Sequence, residues 1–290
     1  MTAPVEFTPP AADQALLRTV LRAGLRVLFR GLVRPPMPIA GQRVVLRALT
    51  SMGKLPRGIT RSAGTLGGRP CEWHKPPSGR GTVMLYLHGG AYIIGGANTH
   101  RALCAHLAKR GQMDVCALDY RLAPEYPYPA ARDDAVAAIE ALLEMGYAPE
   151  QIVVGGDSAG GNLSLISSLR LRDLGRPQPA ALVCFSPVTD FTGAHLHEPP
   201  AGDPLINRAW VEQALSLYCP PPVWPTTTPA CRRSMLTCTG CHRCYCRWVK
   251  TRFYVTTACV LPRKPKLPGW TSACNATRTC GMCFRPTRAP

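Results

Sequence analysis

Two rhythms of apolar and polar positions run through the first 218 residues, and neither continues beyond them. Between residues 12 and 33, Leu16, Leu17, Val20, Leu21, Leu25, Leu28 and Leu32 recur at helical spacing, while Arg18, Arg22, Arg26 and Arg30 form a line four residues apart. A Gly/Pro-rich stretch follows. Short unbroken apolar runs at 83–87, 115–118, 152–155 and 181–185 then read as strands. Helical patterns near 99–109, 130–144, 159–172 and 203–218 separate and follow them. Unbroken β-branched strands interleaved with helices predict a mostly parallel sheet covered by helices on both faces, an α/β architecture. From Cys219 onward Pro and Thr recur without either period. The chain thus divides into an N-terminal helical part at 1–50, an α/β body at 51–218 and a tail at 219–290.

Charge sharpens that division. Residues 1–218 hold 22 Lys/Arg and all 17 Asp/Glu, whereas residues 219–290 hold 12 Lys/Arg and no acid. The tail also carries 10 of the 14 Cys and 10 of the 30 Pro. The formal charge of +17 is therefore mostly a property of the tail. No acid-free stretch of this length is expected of a globular sequence, in which carboxylates supply about half of the charged residues. The first ten residues lack a basic n-region, and no run approaches the ~18–20 apolar residues of a membrane span. Cys71, Cys104, Cys116 and Cys184 are scattered without motif spacing, as small core residues of a reducing compartment would be. A cytoplasmic location is the expectation, peripheral to a membrane if the arginine-lined helix lies on anionic lipid rather than presenting a solvated face.

Two motifs carry chemistry. Gly156-Asp157-Ser158-Ala159-Gly160 fits G-x-S-x-G between a strand and a helix. A strand-to-helix turn this tight needs glycine on both sides of the nucleophile, and the helix N-terminus behind it presents amides and a positive dipole end to a developing oxyanion. His88-Gly89-Gly90-Ala91-Tyr92 follows the strand at 83–87, where small residues let backbone N–H groups approach a substrate carbonyl. Phosphate binding by this loop is disfavoured, because no Lys-Ser/Thr follows and G-x-G-x-x-G is absent. His88 reads as a structural residue of its loop, since a general base must face the nucleophile from a different one.

These motifs, with DYRLAPE at 119–125, PYPAARDD at 127–134, GDSAGGNL at 156–163 and SPVTD at 186–190, resemble the hormone-sensitive-lipase-like family of α/β-hydrolase carboxylesterases. The resemblance covers most of residues 1–218. It implies the α/β-hydrolase fold, a helical cap built from the N-terminal helices and the segment near 191–215, and a small-molecule ester as substrate. It further implies Ser158 as nucleophile, with the amides of Gly89, Gly90, Ala91 and Ala159 around an oxyanion hole. Ala91 stands where the family has a third glycine, a tolerable change for a backbone donor. No cofactor and no metal are called for.

The family's order is Ser, Asp, His, with the last two downstream. Beyond residue 218 the chain has no Asp or Glu, and its only histidine there is His242. Neither the triad Asp nor the triad His is identifiable. The genetic code suggests why. When each codon takes the last base of one residue and the first two of the next, the tail permits a peptide containing VSP, GLPP, VGEDAVL and DMWHV, segments that resemble the family's missing third. Some positions are forced: Trp248/Val249 gives Gly, Phe253/Tyr254 gives Leu, Trp270/Thr271 gives Asp and Met282/Cys283 gives Val. The triad Asp would be encoded across Lys250/Thr251 and the His across Gly281/Met282. CTG and GTG codons read one base late begin TG, which accounts for the cysteines. Residues from about 219–223 onward are accordingly expected to be a frameshifted, unstructured translation, and the chain to be poorly folded and nearly inactive.

Three other readings stand beside this one. Cys238-x-x-Cys241 and Cys280-x-x-Cys283, with His242, Cys244 and Cys246, have zinc-ribbon spacing. The basic tail with Trp224, Trp248, Phe253, Tyr254 and Trp270 would bind polyanions, though no specific nucleic acid. The body would serve as a non-catalytic acyl-binding scaffold if Ser158 were unreactive. Oligomeric state and acyl-chain preference are not legible.

Overall fold

The computed structural model describes residues 15–31, 33, 35–51, 53–189, 191, 206, 208–220, 249–250 and 255–256. The apolar run VMLYL forms β3 (Val83–Leu87), and all five of its residues are buried. It sits inside the sheet, parallel to β4 (Asp114–Leu118) on one side and β5 (Ile152–Asp157) on the other. β6 (Ala181–Phe185) extends the parallel set beyond β5. β2 (Arg69–Lys75) pairs antiparallel with β4, and β1 (Thr60–Leu66) pairs antiparallel with β2. The resulting six-strand order is β1-β2-β4-β3-β5-β6.

Because successive strand residues point to opposite faces, β3 feeds two cores at once. Met84 and Tyr86 pack with Val115, Ala117, and Cys104 and Ala108 of α3 (Arg101–Gly111). Val83, Leu85 and Leu87 face the larger cluster, which holds Ile139 and Leu142 of α4 (Ala130–Glu144) and Leu163 and Leu171 of α5 (Ala159–Asp173). The expected α/β fold, a mostly parallel sheet with helices on both faces, is therefore present.

Three elements emerge from the stretch that the apolar pattern left blank: α2 (Ile39–Thr50), β1 and β2. β1 is an edge strand of sequence TRSAGTL whose first six residues are exposed, so nothing imposes an apolar alternation on it. Its signal lay in the turn instead. Gly67 and Gly68 have φ of 55° and 74°, the two positive values that a tight two-residue hairpin requires.

The N-terminal helix α1 (Ala15–Gly31) and α6 (Arg208–Tyr218) fall where the pattern placed helices, with slightly tighter bounds. Cap and sheet are joined by polar contacts. Trp210 Nε1 donates to Oε1 of the fully buried Gln42 at 2.9 Å, tying α6 to α2. Arg43 donates from Nε to Ile93 O (2.8 Å) and from one terminal nitrogen to Ala123 O (2.8 Å) while pairing with Glu125. Tyr218 stacks on Tyr92 with ring centroids 3.8 Å apart. In the tail, β7 (Val249–Lys250) pairs antiparallel with β8 (Val255–Thr256), and apart from these and Cys219 and Pro220 its residues lie outside the described ones. Cys71, Cys104, Cys116, Cys184 and Cys219 are buried, and none forms a disulfide among the described residues. No described helix is long and apolar enough to cross a membrane.

Candidate active site

Ser158 occupies the turn between β5 and α5 with φ 51° and ψ −115°, a conformation that costs a non-glycine residue about 1–3 kcal/mol. The surroundings hold it there. Its N–H donates to Phe185 O at 2.9 Å, and its carbonyl accepts from the amides of Asn162 and Val188, both at 3.1 Å. A Cβ at Gly156 or Gly160 would collide with the carbonyl oxygen of Leu87, so both flanking glycines are sterically required. The Ser158 side chain makes no capping bond to α5. Its hydroxyl thus stands at the carboxyl end of β5, beside the loop that leaves β3.

That loop is a row of peptide groups whose carbonyls are tied to the protein. In a trans peptide the N–H points opposite to the preceding C=O. Tyr120 Oη donates to His88 O at 2.7 Å, and His88 Nδ1 donates to Gly89 O at 2.8 Å. Gly90 O accepts from both Ile93 N and Ile94 N at 3.0 Å. With these carbonyls fixed, the Gly90 and Ala91 amides are turned away from the tying groups and find no acceptor among the described residues. The Ala159 amide opens α5 and is set in the same way by the doubly bonded Ser158 carbonyl.

Gly89 is a correction. Its amide donates to Asp157 Oδ1 at 2.9 Å and so is not an oxyanion donor in this geometry. Its role is to anchor the loop to the elbow. Asp157 accepts in addition from Tyr86 Oη at 2.7 Å and faces His100 Nε2 at 3.3 Å. Burial raises the Asp157 pKa, but the hydrogen bond and charge of His100, with the Tyr86 and Gly89 bonds, outweigh it and the net shift is downward. Burial likewise opposes the His100 cation, yet the hydrogen bond to Asp157 and its charge leave the His100 pKa raised. Each partner thus favours the charged form of the other.

His88 is structural, as its position in the loop suggests. It is fully buried between Tyr120 (centroids 4.2 Å apart) and His100 (5.6 Å). Desolvation and the neighbouring His100 push its pKa down to about 3. It is neutral at ordinary pH, with the proton on Nδ1 and Nε2 without a partner. Asp157 was legible as the residue before the nucleophile, though its role was not. Tyr92 Oη donates to Asn162 Oδ1 at 2.7 Å, and Asn162 Nδ2 donates to Val188 O, contacts hidden inside quoted motifs. His100 gave no sequence signal at all.

Comparison with known proteins bears on this geometry. A family profile described as the alpha/beta hydrolase fold matches residues 84–245. The crystal structure of an esterase from the bacterial hormone-sensitive lipase family superposes with a TM-score of 0.64 at 35% identity, covering 72% of this chain and 71% of that one. The chain belongs to that α/β-hydrolase family. A hormone-sensitive lipase from a metagenome library is similar to the hydrolase chain, with a TM-score of 0.65, 34% identity and coverage of 70% and 69%. The hydrolase chain is also 40% identical over 170 residues to an acetyl-hydrolase of Streptomyces hygroscopicus, covering 57% of each. It is 37% identical over 159 residues to carboxylesterase NlhH of Mycobacterium tuberculosis, covering 52% of this chain and 50% of that protein. It spans little more than half the length of these curated relatives. The profile match ends at residue 245, inside the tail rather than at its start.

Among the described residues no imidazole is hydrogen-bonded to Ser158: His74 faces Glu72, His88 bonds Gly89, His100 pairs with Asp157, and His106 lies on α3. His195, His197, His242 and the cysteines of the zinc-ribbon spacing lie outside the described residues. Among the described residues no group of three or more His, Cys, Asp or Glu is arranged to hold a metal.

Proposed function

We propose that the body of this hydrolase is the nucleophile-bearing part of a carboxylic ester hydrolase, and that the chain as written is nearly inactive because its last quarter is read out of frame. Ser158 attacks the ester carbonyl, and the alcohol leaves as the acyl-serine forms. Water then releases the acid. The amides of Gly90, Ala91 and Ala159 receive the negative charge that develops on the carbonyl oxygen. The observation that carries this reading is the strained Ser158 hydroxyl beside backbone amides whose own carbonyls are tied elsewhere. Among the described residues no imidazole is bonded to Ser158 to take its proton, and the sequence has no acid after Glu212 from which a downstream Asp could come. The shifted frame permits both missing residues, an Asp across Lys250/Thr251 and a His across Gly281/Met282.

The decisive experiment is to sequence the coding DNA across codons 215–225 and to express the chain with the frame restored by one base. The restored chain is expected to hydrolyse a short-chain p-nitrophenyl ester and to be labelled at Ser158 by a fluorophosphonate. The chain as written is expected to do neither at comparable rates. Codons incompatible with the shifted peptide, or equal burst release from both chains, would overturn the proposal.

A further inference from the structure

We propose that α1 is a lipid-surface helix that docks the protein on an anionic bilayer, an interaction independent of the ester chemistry. Among the described residues Phe29 of α1 packs against the main core. On another side of the helix, Leu16, Val20 and Val27 are 76%, 60% and 75% exposed, with Ala23 exposed between them. Their spacing of four, three and four residues puts them on one line about 16 Å long. A line of large aliphatic side chains left in water is costly, and burying it is favourable.

Charge selects the occupant. α1 carries four arginines at a spacing of four and no acidic residue. At 100° per residue Arg26 and Arg30 fall beside this apolar line and Arg18 and Arg22 nearer the face of Phe29, so cations border the line on one side, an arrangement that suits the boundary between acyl chains and anionic headgroups. A second copy of the chain meeting through the same face would bring two arginine columns together, a like-charge arrangement that opposes pairing. Nucleic acid would take the arginines and leave the valines wet.

The test is co-sedimentation of the full chain with vesicles of phosphatidylcholine alone or with one third phosphatidylglycerol, at moderate salt. The tail also carries cations, so the comparison is between variants with the tail intact. Val20→Glu/Val27→Glu is expected to lower partitioning onto the anionic vesicles at least tenfold. Val44→Glu, an equally exposed valine on α2 (64%), is the control and is expected to leave it within twofold. Both positions are solvated, and unchanged circular dichroism confirms that the variants fold. Three outcomes would overturn the proposal. These are equal binding by wild type and the double variant, an equal loss in Val44→Glu, or a wild-type dimer that the double variant dissolves without any vesicle binding.

Discussion

The stretch from Val83 to Val188 and the stretch from Cys219 to Pro290 have ordinary chain chemistry but opposite internal consistency. In the first, every level agrees. An apolar strand ends in a Gly-rich loop, a second ends in a glycine-flanked serine, and the helix behind that serine begins at the residue whose amide is needed. Several of its buried polar groups are paired in networks, such as Tyr86–Asp157–His100 and Tyr92–Asn162–Val188. In the second, cysteines and arginines are abundant, yet no period organises them and no acid balances them. Among the described residues its regular structure is two strands of two residues each. Natural sequences are locally and globally concordant because selection acts on both, and a loss of concordance past about residue 218 is what the proposed change of frame would produce.

The largest effect follows directly. If the tail conceals the acid and base in another frame, restoring one base raises turnover of p-nitrophenyl acetate by on the order of 10⁶, the size of loss seen when another serine hydrolase loses its base. Ser158→Ala in the restored chain removes the gain. A smaller rise, within tenfold, would mean that the two regions do not belong together and that the comparison has been misread.

The body's parallel sheet and elbow were legible because burial on both faces writes an unbroken apolar strand, and because Gly156 and Gly160 have no alternative at their positions. The outlying elements were not. β1 is solvated along most of its length, so its sequence answers to no core. Gly89 illustrates a subtler limit. A glycine can be required because its amide must meet a ligand or because a Cβ would strike a neighbour, and sequence does not separate these. Here the neighbour is the Asp157 carboxylate. His100 approaches Asp157 from α3's side of the sheet, a meeting that only topology creates.

The next effect tests that concordance inside the body. Gly160→Ala places a methyl group against the Leu87 carbonyl at the end of a fully buried strand that has no room to retreat, and is expected to cost about 3 kcal/mol in urea unfolding. Gly24→Ala, where a Cβ on α1 meets nothing within 4 Å, is expected to stabilise by up to about 1 kcal/mol. Equal effects at the two glycines would show that the elbow is not packed as described.

A titration gives a third, smaller effect. His88 is neutral in the fold with its pKa lowered to about 3, whereas the unfolded imidazole takes a proton below about 6.5. Its contribution is complete above pH 6.5 and is lost as pH falls towards 3, amounting to about 2 kcal/mol at pH 5. His100 has the opposite sign. Its raised pKa gives a contribution that is complete below about 6.5 and fades as pH rises through the folded value. The depressed Asp157 pKa adds stability that is lost only in the acid carboxylate range. Unfolding free energy is therefore expected to peak near neutrality. His88→Gln should flatten the fall between pH 7 and 5, and an unaltered slope in that variant would assign the acid limb elsewhere.

The smallest effect belongs to the tail itself. Removing residues 221–290 deletes 12 of the 34 cationic side chains and none of the 17 acids, so the formal charge falls from +17 to +5. Were the tail a folded part of the molecule, its loss would expose the surface it covered and lower the unfolding midpoint by several degrees. On the proposed change of frame the tail has no selected core to withdraw. Thermal unfolding of the shortened chain is expected within about 2 °C of the full one, while its retention on a heparin column at moderate salt drops sharply, because counterion release scales with the cations lost. The two readouts separate what the tail adds in charge from what it adds in structure. A large fall in the midpoint, together with the profile match that runs to residue 245, would place the boundary of the functional body well past residue 218.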